Sequence, residues 1–173
     1  MVAQTPPALH VSVSPSKAGT GAKPRPVSLK LQIDGDITAK AIVVYFPKQL
    51  RITNAGLPQC DKTDEEIVAG ACDRMKAGTG SVTIGGEPLA LTPLVGTDDL
   101  IFKASDAVLH GKLSQAAGRY TAKMRVALPD AMQTLSAIKL SFKRTTLFAS
   151  RGCPLPFKVT AGTRVLTAKA SCT

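Results

Sequence analysis

Few residues in this chain could carry chemistry. It holds two histidines, His10 and His110, and four cysteines, Cys60, Cys72, Cys153 and Cys172. A Ser-His-Asp hydrolase could be drawn from either histidine with a serine and an aspartate. No G-x-S-x-G elbow occurs to present such a nucleophile. Lone histidines are more often structural or surface residues. Asp34-Gly35-Asp36 and Asp98-Asp99 offer oxygens for calcium, which takes about six to eight. Neither has further acidic or Asn ligands nearby, and Asp and Gly are what turns select. Asp64, Glu65 and Glu66 could supply the paired carboxylates of a glycosidase. They open a helical pattern instead, and the chain has no Trp to stack a sugar. Gly78-Thr79-Gly80 lacks the Lys-Ser/Thr of a phosphate loop. No catalytic residue, metal site or cofactor site is therefore expected.

The cysteines fall into two local pairs. Four cysteines allow about three connectivities, and local pairing, Cys60 with Cys72 and Cys153 with Cys172, is the simplest. Neither pair has C-x-x-C spacing, and two histidines make a zinc centre a poor fit. Disulfides imply an oxidising compartment. The N-terminus, Met1-Val2-Ala3-Gln4-Thr5-Pro6-Pro7, reads as the mature end of an exported protein with its signal peptide removed. No apolar run reaches the roughly 18 residues of a membrane span.

The chain has 22 Lys and Arg against 12 Asp and Glu, a net charge of +10 at pH 7. Residues 1–33 and 131–173 carry basic residues and no acid, while the acids concentrate at Asp61, Asp64, Glu65, Glu66 and Asp73. A basic exterior favours anionic partners. If the strands over 119–128 and 136–144 are neighbours, Lys123 and Arg125 share an outer face with Lys139 and Lys143. These four are the candidate polyanion-binding residues. Without aromatic residues between them, specific binding of single-stranded nucleic acid is not expected.

These residues must be positioned by strands. Leu9, Val11 and Val13 alternate with polar residues, as do Val27 to Ile33, Tyr120 to Leu128 and Ile138 to Phe142. A period of two marks a half-buried strand. Asp34-Gly35-Asp36 is expected to be a turn. Ala41 to Phe46 is nearly all apolar and reads as a central strand stopped by Pro47. The single credible helix runs from Asp61 to Gly70, capped by Asp61 or Thr63. Val82, Leu89, Leu100 and Val108 begin or centre further short strands. Residues 157–170 read as a hairpin around Ala161-Gly162-Thr163. About ten short strands with regular turns predict an all-β antiparallel sandwich of immunoglobulin-like type. Its short helix lies in a disulfide-closed loop. Residues 1–7 form a flexible tail, and 8–173 one domain.

A family resemblance rests on VSPSKAGT (Val13 to Thr20), VYFPKQLRITNAGLPQC (Val44 to Cys60), Ala71-Cys72, GTGSV (Gly78 to Val82) and the late RGCP (Arg151 to Pro154) before Cys172. In this order they resemble a group of uncharacterised secreted β-sandwich proteins of actinobacteria, with the pattern FPxGL, LPxC, CPxGSxVGxG and a late CP followed by a final Cys. Gln49 stands where that pattern has Gly, and Asp73 follows Cys72 where it has Pro. The resemblance implies export, a β-sandwich and local disulfides, and implies no activity. The reading that follows is a secreted or cell-surface structural or interaction module without enzymatic activity, whose partner would be another surface protein. Two alternatives stand beside it: a binding module for anionic envelope polymers, and a hydrolase with an unrecognised site.

Overall fold

A computed structural model describes residues 6–172. Along the chain run β1 (Ala8–Ser14), β2 (Arg25–Pro26), β3 (Ser28–Thr38), β4 (Ala41–Pro47), β5 (Leu50–Ile52), α1 (Asp64–Val68), β6 (Gly78–Ile84), β7 (Glu87–Val95), β8 (Asp99–Lys103), β9 (Val108–Gln115), β10 (Tyr120–Ala127), β11 (Thr134–Phe142), β12 (Phe148–Ser150), β13 (Leu155–Ala161) and β14 (Arg164–Ala170). The fold is all-β and antiparallel, with one short helix and two disulfides.

Eleven strands form one sheet in the order β1-β3-β11-β6-β7-β8-β9-β10-β4-β13-β14. Its terminal strands, β1 and β14, come back beside one another, so the sheet curls into a nearly closed barrel. A small sheet, β2-β12-β5, adds Leu50 and Phe148 to the same core. The immunoglobulin-like sandwich expected from sequence is not confirmed. The reason is β7: its first half pairs with β6 and its second half with β8, joining what would otherwise be two sheets.

Alternation explains the core. Leu29, Leu31 and Ile33 of β3 point inward and meet Ile42 and Val44 of β4, Met124 and Val126 of β10 and Val159 of β13. Burying one such aliphatic side chain contributes about 1.5–3 kcal/mol before entropy is counted. Four phenylalanines fill one region: Phe46 lies 5.8 Å from Phe148 and 6.0 Å from Phe157, and Phe142 lies 5.0 Å from Phe148, measured between ring centres. The aliphatic remainder leaves one wholly apolar cavity of about 70 Å³ among Leu31, Val44, Phe102 and Met124.

Two expectations are corrected. Asp34-Gly35-Asp36 is not a turn: β3 runs straight through it. Gly35 has φ of +114°. Lacking a Cβ, it admits Pro6 and Pro7, whose backbone would lie 2.7 Å from one. The register of β11 against β3 shifts close by, between Leu135 and Ala137. Glycine here marks a bulge and a close approach rather than a chain reversal. The second correction concerns the basic strands. β10 pairs with β9 and β4, and β11 with β3 and β6, so four strands separate them. Lys123 and Arg125 therefore form no common patch with Lys139 and Lys143, which lie beyond those four strands around the barrel. Alternation fixes which way a side chain points, but strand order comes from long-range pairing that no local pattern encodes.

The flexible tail expected over residues 1–7 lies, for its first five residues, outside the described part. Among the described residues no helix is long and apolar enough to cross a membrane.

Candidate functional site

Between β5 and β6 the chain leaves the sheet over residues 53–77 and returns at Gly78. This excursion folds back as a clasp over the outer side of β7, β8 and β9. Thr63 caps α1: its hydroxyl accepts from the Glu66 N–H, and the Glu66 carboxylate accepts from the Thr63 N–H at 3.2 Å. This reciprocal box satisfies donors the helix start would leave open, and the Thr63 backbone and hydroxyl hold the Glu66 pKa below its ordinary value. Gly70, with φ of +103°, follows the last helical turn.

Ile67 of α1 is fully buried and packs with Cys60, Cys72, Leu94 and Ile101 in a second, smaller core. Cys60 and Cys72 are bonded, with Cα atoms 5.6 Å apart. The Cys60 N–H donates to the Val95 carbonyl at 2.7 Å, and the Ala77 N–H to the Pro93 carbonyl at 2.8 Å, tying both ends of the clasp to β7. The second disulfide, Cys153–Cys172, has Cα atoms 5.9 Å apart and fastens the chain end to the loop before β13. The local pairing expected from sequence is what the structure contains.

Two side-chain ion pairs latch the clasp to β8 and β9. Lys103 of β8 donates to Asp73 at 2.9 Å. His110 of β9 stands between two carboxylates, with Nδ1 2.6 Å from Asp99 and Nε2 2.7 Å from Asp64 at the start of α1. For both to be hydrogen bonds both nitrogens must carry protons, as in the imidazolium. Burial alone would lower the His110 pKa, but the hydrogen bonds and charges of Asp99 and Asp64 outweigh it and raise the pKa. With both nitrogens engaged, neither is free in this arrangement to take a proton from a serine. His10 lies on β1, exposed, 3.5 Å from Asp34.

Beyond β9 the outer surface is uncovered. Cross-strand partners share a face, and the register sets two rows. One runs Lys112–Arg125–Val43–Thr160–Val165, and the other Ser114–Lys123–Tyr45–Lys158–Thr167. Lys169, opposite Pro156, extends the same face. From β9 to β14 this face presents five Lys and Arg side chains and no acid. The Lys158 ammonium lies 4.2 Å from the Tyr45 ring centre and 5.2 Å from that of Tyr120. Of the four basic residues singled out from sequence, Lys123 and Arg125 belong here. Lys139 lies on the outer face of β11, opposite Gln32 and Ser81, and Lys143 follows that strand's end. Lys112, Lys158, Lys169 and the two tyrosines join the face unforeseen. Alternation over 108–115 already placed His110 and Lys112 on one side, but nothing local indicated that β4 and β13 lie beside β10.

No family model matches the chain, and no curated protein matches it. Among solved structures, the crystal structure of BslA, a bacterial hydrophobin, is similar over 97% of this chain and 98% of its own, at 8% identity and a TM-score of 0.46. A likeness this distant carries no functional argument.

Proposed function

We propose that this protein is a non-catalytic interaction module of an oxidising, extracytoplasmic setting. Its binding surface is the open outer face of β9, β10, β4, β13 and β14, and its partner class is an anionic polymer. The observation that carries this reading is the acid-free face holding Lys112, Lys123, Arg125, Lys158 and Lys169, contiguous through the strand register. Cations concentrated on one face attract polyanions through counterion release, with strong salt dependence. The setting is supported by two disulfides, stable where thiols are not kept reduced. The sequence resemblance to secreted actinobacterial proteins points the same way. The hydrolase alternative loses its best histidine, because the carboxylates of Asp64 and Asp99 occupy both His110 nitrogens.

Heparin serves as the probe. The parent protein is expected to bind it with a log-log salt slope that falls by about 0.7–0.9 for each contact removed. Substituting Lys123→Ala with Arg125→Ala lowers that slope, and Lys139→Ala with Lys143→Ala leaves it unchanged. Elution of the parent at very low salt sinks the proposal.

A further inference from the structure

The clasp ends where the open face begins, and a groove lies at that border, between β9 and β10. It has a volume of about 500 Å³ and is lined by Val108, His110, Lys112, Arg125, Ala127 and Pro129 among others. That volume lies within the range of small-molecule sites, about 300–1,000 Å³. Its lining changes character along its length. Lys112 and Arg125 are direct cross-strand partners. His110 follows on β9, its two nitrogens turned to Asp99 and Asp64, and Val108, Ala127, Leu128 and Pro129 make the apolar remainder.

The cationic end is unbalanced. Like charges directly opposite on a sheet repel. The acid in register with Lys112 on its other side is Asp99, but that carboxylate is held by His110 Nδ1 at 2.6 Å. Among the described residues the side chain of neither Lys112 nor Arg125 makes a hydrogen bond or ion pair, although both backbones belong to the sheet. Arg offers a planar fork for a tetrahedral or planar oxyanion, and Lys adds a point charge. An anion seated between them relieves the repulsion and gains two charge-assisted contacts. Free phosphate would use only this end. The apolar end accepts a compact hydrocarbon body attached to the anion.

We infer that this groove is a binding site for a phosphate ester bearing a short apolar group, with the phosphate between Lys112 and Arg125 and the apolar group along Val108, Ala127 and Pro129. This rests on the reading of the open face as anion-binding and narrows it to one seat and one ligand class.

The test uses the whole protein and three probes: hexyl phosphate, inorganic phosphate and hexanol, followed by calorimetry or by amide shifts in nuclear magnetic resonance. Hexyl phosphate is expected to bind at least tenfold tighter than either fragment, with shifts centred on β9 and β10. Lys112→Ala with Arg125→Ala removes this preference. Ala127→Gln, which places an uncharged polar group at the apolar end, weakens hexyl phosphate while leaving inorganic phosphate within about twofold. Lys123→Ala, outside the groove, leaves hexyl phosphate binding unchanged yet lowers the heparin salt slope. Equal binding of hexyl phosphate and inorganic phosphate overturns the inference, and so does hexyl phosphate binding that survives loss of Lys112 and Arg125. Heparin binding without hexyl phosphate preference defeats this inference alone. Hexyl phosphate binding without heparin binding defeats the broader reading alone.

Discussion

Two adjoining areas on the outside of one sheet have opposite characters. Over β7, β8 and β9 the surface is covered by the chain's own clasp, apolar underneath at Ile67, Leu94 and Ile101. Two ion pairs, Lys103 with Asp73 and His110 with Asp64, hold it down. Over β10, β4, β13 and β14 it is bare, basic and without acid. The acidic run at Asp61 to Asp73 stands out on a molecule of net charge +10. Two of its members neutralise cations of the strands the clasp covers. The strands beyond its reach keep their charge, which the proposed function assigns to an anionic partner. On this division, the clasp answers to changes in packing and cross-linking, and the bare face to changes in salt.

The largest effect is expected on the covered side. Replacing Cys60 and Cys72 together with alanine should cost about 2–5 kcal/mol, the usual range for a native disulfide in a small domain. Urea unfolding under non-reducing conditions measures it. Limited proteolysis should cut first within residues 53–77. Cleavage elsewhere first, with an unchanged urea midpoint, would show that the clasp does not depend on its bond.

Next comes Lys158, between Tyr45 and Tyr120. Cation–π contacts at exposed sites contribute about 0.5–1 kcal/mol each. Lys158→Ala should therefore lower stability by about 1 kcal/mol and weaken heparin binding as well. Lys158→Met separates the two: it keeps much of the packing but not the charge. A Met variant with full heparin affinity would remove Lys158 from the binding face.

The clasp can also be altered by charge alone. Asp64→Asn with Asp73→Asn removes the clasp's two paired acids, leaving Lys103 without its carboxylate partner and His110 with Asp99 alone. Heparin binding at low salt should tighten roughly two- to threefold, an effect that salt screens within about 10 Å at 0.1 M. No change would mean that the clasp's acids do not shape the field of the bare face.

The sequence yielded different parts of this picture for different reasons. Strand content, the disulfide pairs, the Thr63 cap and the hairpin of β13 and β14 depend on neighbours close in the chain, and local pattern is enough to see them. Capping chemistry needs only Thr63 and Glu66, three residues apart. Gly35 misled because φ above zero serves bulges as well as turns, and only the approach of Pro6 and Pro7 distinguishes them. The basic face was half legible. Lys123 and Arg125 were assigned the right direction but the wrong neighbours. β11 follows β10 in the chain yet sits across the barrel from it, because β10 closes on β4. The His110 latch joins residues 46 and 11 positions away. Such pairs exist only once α1 is laid over β9.

The smallest expected effect decides whether the latch is more than a contact. The His110 pKa is raised in the folded protein by Asp99 and Asp64, against the opposing influence of burial. A raised folded value means the native state holds the proton more tightly than the unfolded chain does. The latch's contribution is thus complete below the unfolded value of about 6.5, while both carboxylates remain ionised. It is lost as pH rises from there through the raised folded value. The His110 and Asp64 side chains are 36% and 61% exposed, so solvent screens the pair and the loss should not exceed about 1 kcal/mol. Urea midpoints of the parent should fall slightly between pH 5.5 and pH 8.5, and amide exchange in residues 53–77 should quicken over the same interval. His110→Gln should flatten both trends, whereas His10→Gln, on the far side of the sheet order, should leave them in place. A pH trend that survives in His110→Gln would assign it to another group and reduce the latch to packing. A trend that vanishes only in the clasp's exchange, with the urea midpoint unmoved, would show the clasp opening as a unit of its own above a barrel that stays closed.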